Sequence, residues 1–279
     1  MKKLQLFNYL CSSLVSVCSL TVQADDFIPK STYNWTGVYV GGFVGGASGA
    51  NVTGSGPTDS NGNTWNANSL ASAYGNNYST GGSFMGGGTL GYNWQFKETP
   101  YVLGVEAEYG YIGMSGSNPD PNNAQWNTFA NNSNEQNENT QGYVPLPLSN
   151  GKASTKIGSD YGYGLIGGRI GYSMERALIY IKSGAVFTST QTEYSDSNAN
   201  FYIKEKSNND AGYALGAGLE YALPFEWTKN ISVKTEYLYF GLNKSTTGSV
   251  QNINSPVPYS YTTNIDGIHT AKVGVNYKF

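Results

Sequence analysis

The sequence predicts an all-β chain: an eight-stranded antiparallel up-and-down transmembrane β-barrel with four long extracellular loops and short periplasmic turns. Three observations lead there. The first is the closing segment. From Ala271 onward the residue types alternate, with Ala271, Val273, Val275, Tyr277 and Phe279 on one parity and Lys272, Gly274, Asn276 and Lys278 on the other. Successive side chains of a strand point to opposite faces, so this strand has one apolar and one polar face. It ends on an aromatic residue, where a soluble chain usually frays into a polar tail. The second is the start: Lys2 and Lys3, an apolar run from Leu10 to Leu20, then Val22-Gln23-Ala24. That is the order of an export signal, with cleavage expected after Ala24. The third is a rhythm. The connections between alternating segments run long, short, long, short, long, short, long, as they do when every long loop leaves a barrel at one end.

These features divide the chain into a signal peptide, residues 1–24, a short periplasmic leader, residues 25–34, and an outer-membrane barrel domain, residues 35–279. Removing residues 1–24 takes away Lys2 and Lys3 and no acid, so the formal net charge moves from −3 to −5. No basic stretch suited to nucleic acid results. Cys11 and Cys18 both lie in the segment to be removed, which leaves a mature chain without thiols. Charged residues make up 13% of the chain, about half the share of about 25% in soluble domains. Mean hydropathy is still negative, at −0.39, because alternating strands place apolar side chains at only half their positions. No apolar run reaches the roughly 20 residues of a spanning helix.

The first strand candidate, Trp35 to Gly46, puts Val38, Val40 and Val44 on one parity and Tyr39, Gly41 and Phe43 on the other, and its pattern leaves the outward face open. Residues 47–81, dominated by Asn, Ser, Gly and Thr, read as a long loop. The second strand, Ser83 to Phe96, is clearer, with Phe84, Leu90, Tyr92, Trp94 and Phe96 sharing a face. Lys97-Glu98-Thr99-Pro100 turns the chain, because proline cannot continue a ladder. The third strand, Tyr101 to Met114, sets Leu103, Val105, Ala107, Tyr109 and Tyr111 against Glu106 and Glu108. Residues 115–159 form the longest irregular segment, rich in Asn and Pro.

In the fourth strand, Tyr161 to Tyr172, Ile166 and Ile170 oppose Arg169. A turn through Met174, Glu175 and Arg176 leads to the fifth, Ala177 to Thr188, where Ile179, Ile181, Ala185 and Phe187 oppose Tyr180 and Lys182. Residues 189–209 read as another polar loop. The sixth strand, Ala211 to Leu223, alternates Tyr213, Leu215, Leu219 and Tyr221 against Glu220. After a turn over Pro224 to Asn230, the seventh, Ile231 to Phe240, sets Val233, Tyr237 and Tyr239 against Lys234 and Glu236. A last loop, residues 241–267, precedes the closing strand.

On the polar parity the strands carry Glu106, Glu108, Glu220 and Glu236 against Arg169, Lys182, Lys234 and Lys272. An eight-stranded barrel is just wide enough for side chains to fill it, so charges placed inside must neutralise and hydrogen-bond one another. A lumen ion-pair network of these eight residues is expected. It reads either as a gated polar path for small solutes or as a plug that fixes strand register, and size favours the plug. The inventory offers no catalytic site and no metal site. The single histidine, His269, falls on the lipid-facing parity near the extracellular end of its strand, with no activated hydroxyl in pattern with it. The mature chain has no thiol to help bind a metal, and nothing calls for a cofactor. Aromatics in the polar loops, among them Trp65, Tyr78, Trp126, Tyr194, Tyr202 and Tyr261, read equally as an adaptable contact surface or as packing of the loops on one another.

Five segments of the chain are Trp35-Thr-Gly-Val-Tyr-Val-Gly-Gly42, Gly168-Arg-Ile-Gly-Tyr172, Gly216-Ala-Gly-Leu-Glu-Tyr-Ala-Leu223, Val233-Lys-Thr-Glu-Tyr-Leu-Tyr239 and His269 to Phe279. Together they resemble the small outer-membrane β-barrel family of abundant surface antigens from Gram-negative alpha-proteobacteria and relatives. The resemblance covers the strands and largely skips the loops. It implies an eight-stranded barrel of the porin-family type in outer-membrane lipid. Tyr277 and Phe279 would form the C-terminal signal read by the barrel-insertion machinery after delivery by periplasmic chaperones. Some relatives bind haemin or host surfaces through variable loops. The expected role is structural and surface-exposed, with a narrow pore at most. The alternative is a loop-mediated binder of haemin or a host component.

Overall fold

The computed structural model describes residues 33–58, 76–119, 151–196, 201–250 and 259–279. The expected signal peptide and most of the leader lie outside them. So do the loop aromatics Trp65 and Trp126.

In chain order the strands are β1 (Gly37–Ser48), β2 (Asn51–Thr58), β3 (Asn76–Ser79), β4 (Ser83–Gln95), β5 (Tyr101–Ile112), β6 (Met114–Pro119), β7 (Gly151–Ile157), β8 (Tyr163–Met174), β9 (Ala177–Asp196), β10 (Phe201–Ala222), β11 (Ile231–Val250) and β12 (Tyr259–Lys278). Eight of them, β1, β4, β5, β8, β9, β10, β11 and β12, pair in that order, each antiparallel to the next. The ring closes where β12 returns to β1, with Tyr39 opposite Lys278 and Ser48 opposite His269. This is the predicted barrel, and no sheet edge is left unpaired in the spanning wall. Among the described residues no helix is long and apolar enough to cross a membrane.

The apolar parity faces outward all round. Leu103, Val105, Ile166, Ile170, Ile179, Ile181, Leu215, Val273 and Val275 are exposed on the wall. Toward the periplasmic turns the band is edged by Trp94, Phe96, Tyr101, Tyr221, Tyr277 and Phe279, and toward the opposite end by Phe84, Tyr109, Tyr111, Tyr213 and Tyr237. Such girdles mark the two membrane interfaces. On β1, whose pattern left the choice open, the valines face lipid while Tyr39 and Phe43 are buried in the lumen. The reason lies on β4, where a β-carbon added at Gly91 would clash with the Tyr39 phenol, 2.2 Å from its hydroxyl oxygen. That missing side chain is the space Tyr39 occupies.

The segments expected as loops are in large part strand. β9 and β10 are paired up to Phe201 opposite Asp196, and β11 and β12 up to Val250 opposite Tyr259. β2 pairs with β12 and β3, while β7 pairs with β6 and β9. The Gly81 N–H donates to the Ser115 carbonyl at 3.1 Å where the β3 and β6 edges meet. Above the membrane β9–β12 therefore continue upward, and β2, β3, β6 and β7 take the places held below by β1, β4, β5 and β8.

The handover needs sharp bends. Gly158 and Gly162, between β7 and β8, adopt φ of +72° and +77°, a region that residues with a β-carbon rarely enter. In this upper tier the alternation inverts, because its outer face meets water. Val52, Ala153, Ile157, Ile203 and Ile265 point inward, while Thr53, Lys156, Lys204 and Asn264 point outward. Alternation sought as apolar-outward reads such strands as polar loop.

Candidate functional site

The lumen is filled in layers, each set by the parity of its strands. At the periplasmic end, Trp35 folds under the barrel and is buried with Val102, Leu178, Tyr180 and Ala222. Its indole N–H donates to Ser173 Oγ at 2.9 Å, and Tyr33 packs edge-on against it, with ring centroids 4.8 Å apart. Trp35 was expected to open the first strand. It lies two residues before β1 and acts as a stopper.

The middle layer contains all eight charged residues singled out by parity, each nearly inaccessible to solvent. Lys182 forms ion pairs with Glu106 and Glu108 and lies 3.4 Å from Glu236. Lys272 lies 2.5 Å from Glu108 and 2.8 Å from Glu236, and Lys234 lies 3.2 Å from Glu106. Arg169 pairs with Glu220 at 2.9 Å and takes Asn93 Oδ1 on its Nε at 3.0 Å. Its guanidinium is flanked by the Tyr39 and Tyr180 rings, 4.8 and 4.9 Å from their centroids. That geometry suits a planar cation on aromatic faces.

Tyrosine and amide side chains complete the network. The hydroxyls of Tyr39, Tyr163 and Tyr180 donate to Glu106, Glu108 and Glu236 at 2.6, 3.2 and 3.2 Å. Ser232 donates to Glu220, as does Asn276 Nδ2, the latter at 2.8 Å. Four carboxylates thus face four cations, and each charge has at least one opposite partner. This is the condition under which buried ions are tolerated. The three carboxylates of Glu106, Glu108 and Glu236 converge within 4.8 Å of one another, as cation ligands do. The Lys182 ammonium contacts all three and takes the place a metal ion would need.

Sequence reasoning did not assign Tyr39, Tyr163, Tyr180, Asn93 and Asn276 to the network. Four of them share the polar parity of their strands, and Tyr39 lies on the one strand whose faces the pattern left open. A tyrosine on that parity was the available signal, since its hydroxyl needs an acceptor when buried.

Above the ions lies an apolar layer of Phe43, Met85, Ile112, Tyr163, Leu165, Val186, Phe240 and Ile268. Lys272 Nζ sits 4.6 Å from the Phe43 centroid, where the two layers meet. Higher still, Tyr194 and Tyr261 stack with centroids 4.6 Å apart beside Ala153 and Ile203, and the hydroxyls of Tyr78 and Thr155 are 2.8 Å apart. These three loop tyrosines pack inside the upper tier, whereas Tyr202 faces outward. His269 is on the outer wall, its Nδ1 2.6 Å from the Tyr237 hydroxyl. Phe279 is exposed at the periplasmic rim, edge-on to Tyr277 with centroids 5.2 Å apart.

The chain matches the outer membrane protein beta-barrel domain family over residues 11–279. It is 30% identical over 255 residues to the 31 kDa outer-membrane immunogenic proteins of Brucella melitensis and Brucella suis, covering 90% of this chain and 86% of each relative. Among solved structures, the outer membrane protein OprG from Pseudomonas aeruginosa aligns over 89% of this chain and 100% of its own, with a TM-score of 0.44 and 8% identity. A closed ring of eight strands, a lipid-facing apolar wall and this family match together make the chain an integral protein of a Gram-negative outer membrane, belonging to the outer membrane protein beta-barrel domain family.

Proposed function

We propose that this protein is a sealed barrel with a structural and surface-exposed role, anchoring a stiff extracellular tier and its loops rather than passing solutes. The observation that carries this reading is the stacking of three layers across one lumen: Trp35 and its neighbours, the neutralised ion network, and the apolar layer around Phe43 and Phe240. A solute would have to displace all three. No enzyme activity is proposed, because the ionisable groups of the lumen are tied to one another and closed off from both ends. Single-channel recording of refolded residues 25–279 in a planar bilayer tests the seal, with circular dichroism confirming β-structure in the same sample. A silent membrane is expected, and discrete reproducible current steps would replace the seal with a pore.

A second reading, binding of a host component or haemin, rests on the sequence between β6 and β7, residues 120–150, which includes Trp126, Phe129 and Tyr143. Its test is excision of residues 120–150. A wider cut over 115–159 would remove the paired strands β6 and β7. A binder would lose its ligand while the barrel still inserts; retained binding by the shortened chain would discard this reading. Lipid, the insertion machinery and periplasmic chaperones are the partners such a barrel requires.

A further inference from the structure

The outer wall of the upper tier is chemically uneven. β2 presents Asn51 and Thr53 to solvent, β6 Ser115 and Ser117, β11 Ser245, Thr247 and Ser249, and β12 Asn264 and Asp266. On β7, β9 and β10 the same outward positions form a different surface. Pairing registers place Lys156, Gln191 and Lys206 in one row, Ser154, Glu193 and Lys204 in the next, and Lys152, Ser195 and Tyr202 in the third. All four lysines are exposed, and Tyr202 is 50% exposed. Lys206 pairs with Asp160 at 2.9 Å. Among the described residues no carboxylate lies within ion-pair distance of Lys152, Lys156 or Lys204, although Glu193 sits opposite Lys204 in register. On the extracellular side the sequence has only one other lysine, Lys244, and no arginine. In a chain with an acidic balance, four of five extracellular lysines share one three-stranded face.

We propose that this face binds the phosphorylated sugars of the glycolipid that forms the outer leaflet around the barrel. Charge complementarity and position argue for that occupant. Rows on neighbouring strands are about 4.8 Å apart, so Lys156 and Lys206 stand about 10 Å apart across β9. Lys152 and Lys156 are separated by about 13 Å along β7. Spacing on that scale lets separate lysines meet separate phosphates of one sugar chain, with Ser154, Gln191 and Ser195 as hydrogen-bonding groups between them and the Tyr202 ring available to lie on a sugar face.

The side chains project sideways from the wall. Lys206 is seven residues above Tyr213, or about 18 Å above the interfacial girdle for a strand tilted by about 40°. A lateral surface at that height meets the head groups and core sugars of neighbouring glycolipids before anything arriving from outside.

The test is titration of labelled, phosphorylated lipopolysaccharide onto nanodiscs holding the mature chain, compared with a Lys152→Gln/Lys156→Gln/Lys204→Gln/Lys206→Gln variant. A lysine near an anionic surface is worth about a fivefold change in binding. The variant is expected to bind at least about tenfold more weakly, the wild type to lose affinity as salt rises, and phosphatase-treated glycolipid to bind like the variant. Lys229→Gln, on a periplasmic turn, should leave binding unchanged. If the fourfold variant does not fold by dichroism, Lys156→Gln/Lys206→Gln replaces it, with a loss of about fivefold or more expected. Equal binding of treated and untreated glycolipid, or a lysine variant within twofold of wild type, would overturn the proposal. So would tighter binding of a soluble sulfated polysaccharide, which would assign the face to an external glycan.

Discussion

Lys272, on the strand that closes the ring, reaches across the lumen to Glu108 on β5, its Nζ lying 2.6 Å from Oε1 and 2.5 Å from Oε2. The two strands are not neighbours in the wall, so no backbone ladder holds them in relation. The ion pair does, and with Lys182 and Glu236 it ties the two sides of the barrel at one height. Because a one-residue slip of any strand would turn its charges into lipid, the network also fixes register.

Removing both partners of such a network should cost less than the two single removals added together. Lys272→Met leaves Glu108 and Glu236 short of a cation and is expected to destabilise the refolded barrel by about 3–5 kcal/mol, as broken buried pairs do. The Glu236→Gln/Lys272→Met double variant should lose less than the sum of the single losses. Urea unfolding in lipid vesicles measures all four corners of the cycle, and strict additivity would contradict a coupled network.

Trp35 seals only the lowest of three layers. Trp35→Ala is expected to lower stability by about 3–5 kcal/mol, as truncation of a large buried aromatic does, while the bilayer stays silent because the ion layer and the Phe43 layer remain. Current steps from this variant would mean that the stopper alone closes the lumen.

Phe279 contributes little to packing, at 72% exposure, although its N–H donates to the Val38 carbonyl at 3.0 Å. Phe279→Ser should therefore refold in detergent with an unchanged unfolding midpoint. In cells the insertion-signal role proposed for Phe279 predicts that the variant accumulates in the periplasm, which fractionation would detect. Normal outer-membrane levels would remove the signalling role.

Asp210 sits above the extracellular girdle at the β10 bulge, 2.6 Å from Lys244 and 2.7 Å from Ser207 Oγ, with Thr190 also donating to it. Burial disfavours its charge, but the hydrogen bonds from Lys244, Thr190 and Ser207 outweigh burial and hold the carboxyl below the usual carboxylate range. A lowered folded value means that the contribution is complete above the unfolded value of about 3.9 and disappears as pH falls through the folded one. Asp210→Asn should cost about 1–3 kcal/mol at pH 7, and the gap to wild type should narrow as pH falls below the unfolded value. A gap that stays constant across that range would exclude the linkage.

The sequence by itself determined the eight spanning strands, the outward faces of all but the first and the charged members of the ion layer, because a membrane imposes a period of two with apolar residues on one side. Parity alone put Glu106 and Lys182 inside, and the ladders then set which of them meet. The partners were not legible. That Arg169 would lie between Tyr39 and Tyr180, or that Trp35 would turn back under the barrel, depends on distances between strands far apart in the chain. Nor was the upper tier legible, since above the membrane water replaces lipid on the outer face and the alternation changes sign. Tertiary structure decided that the segments read as loops continue the barrel, because pairing with the upper halves of β9 and β12 satisfies the second edge of β7 and β2. The same pairing gathers Lys152 and Lys156 with Lys204 and Lys206, two pairs about fifty residues apart in sequence, onto one wall.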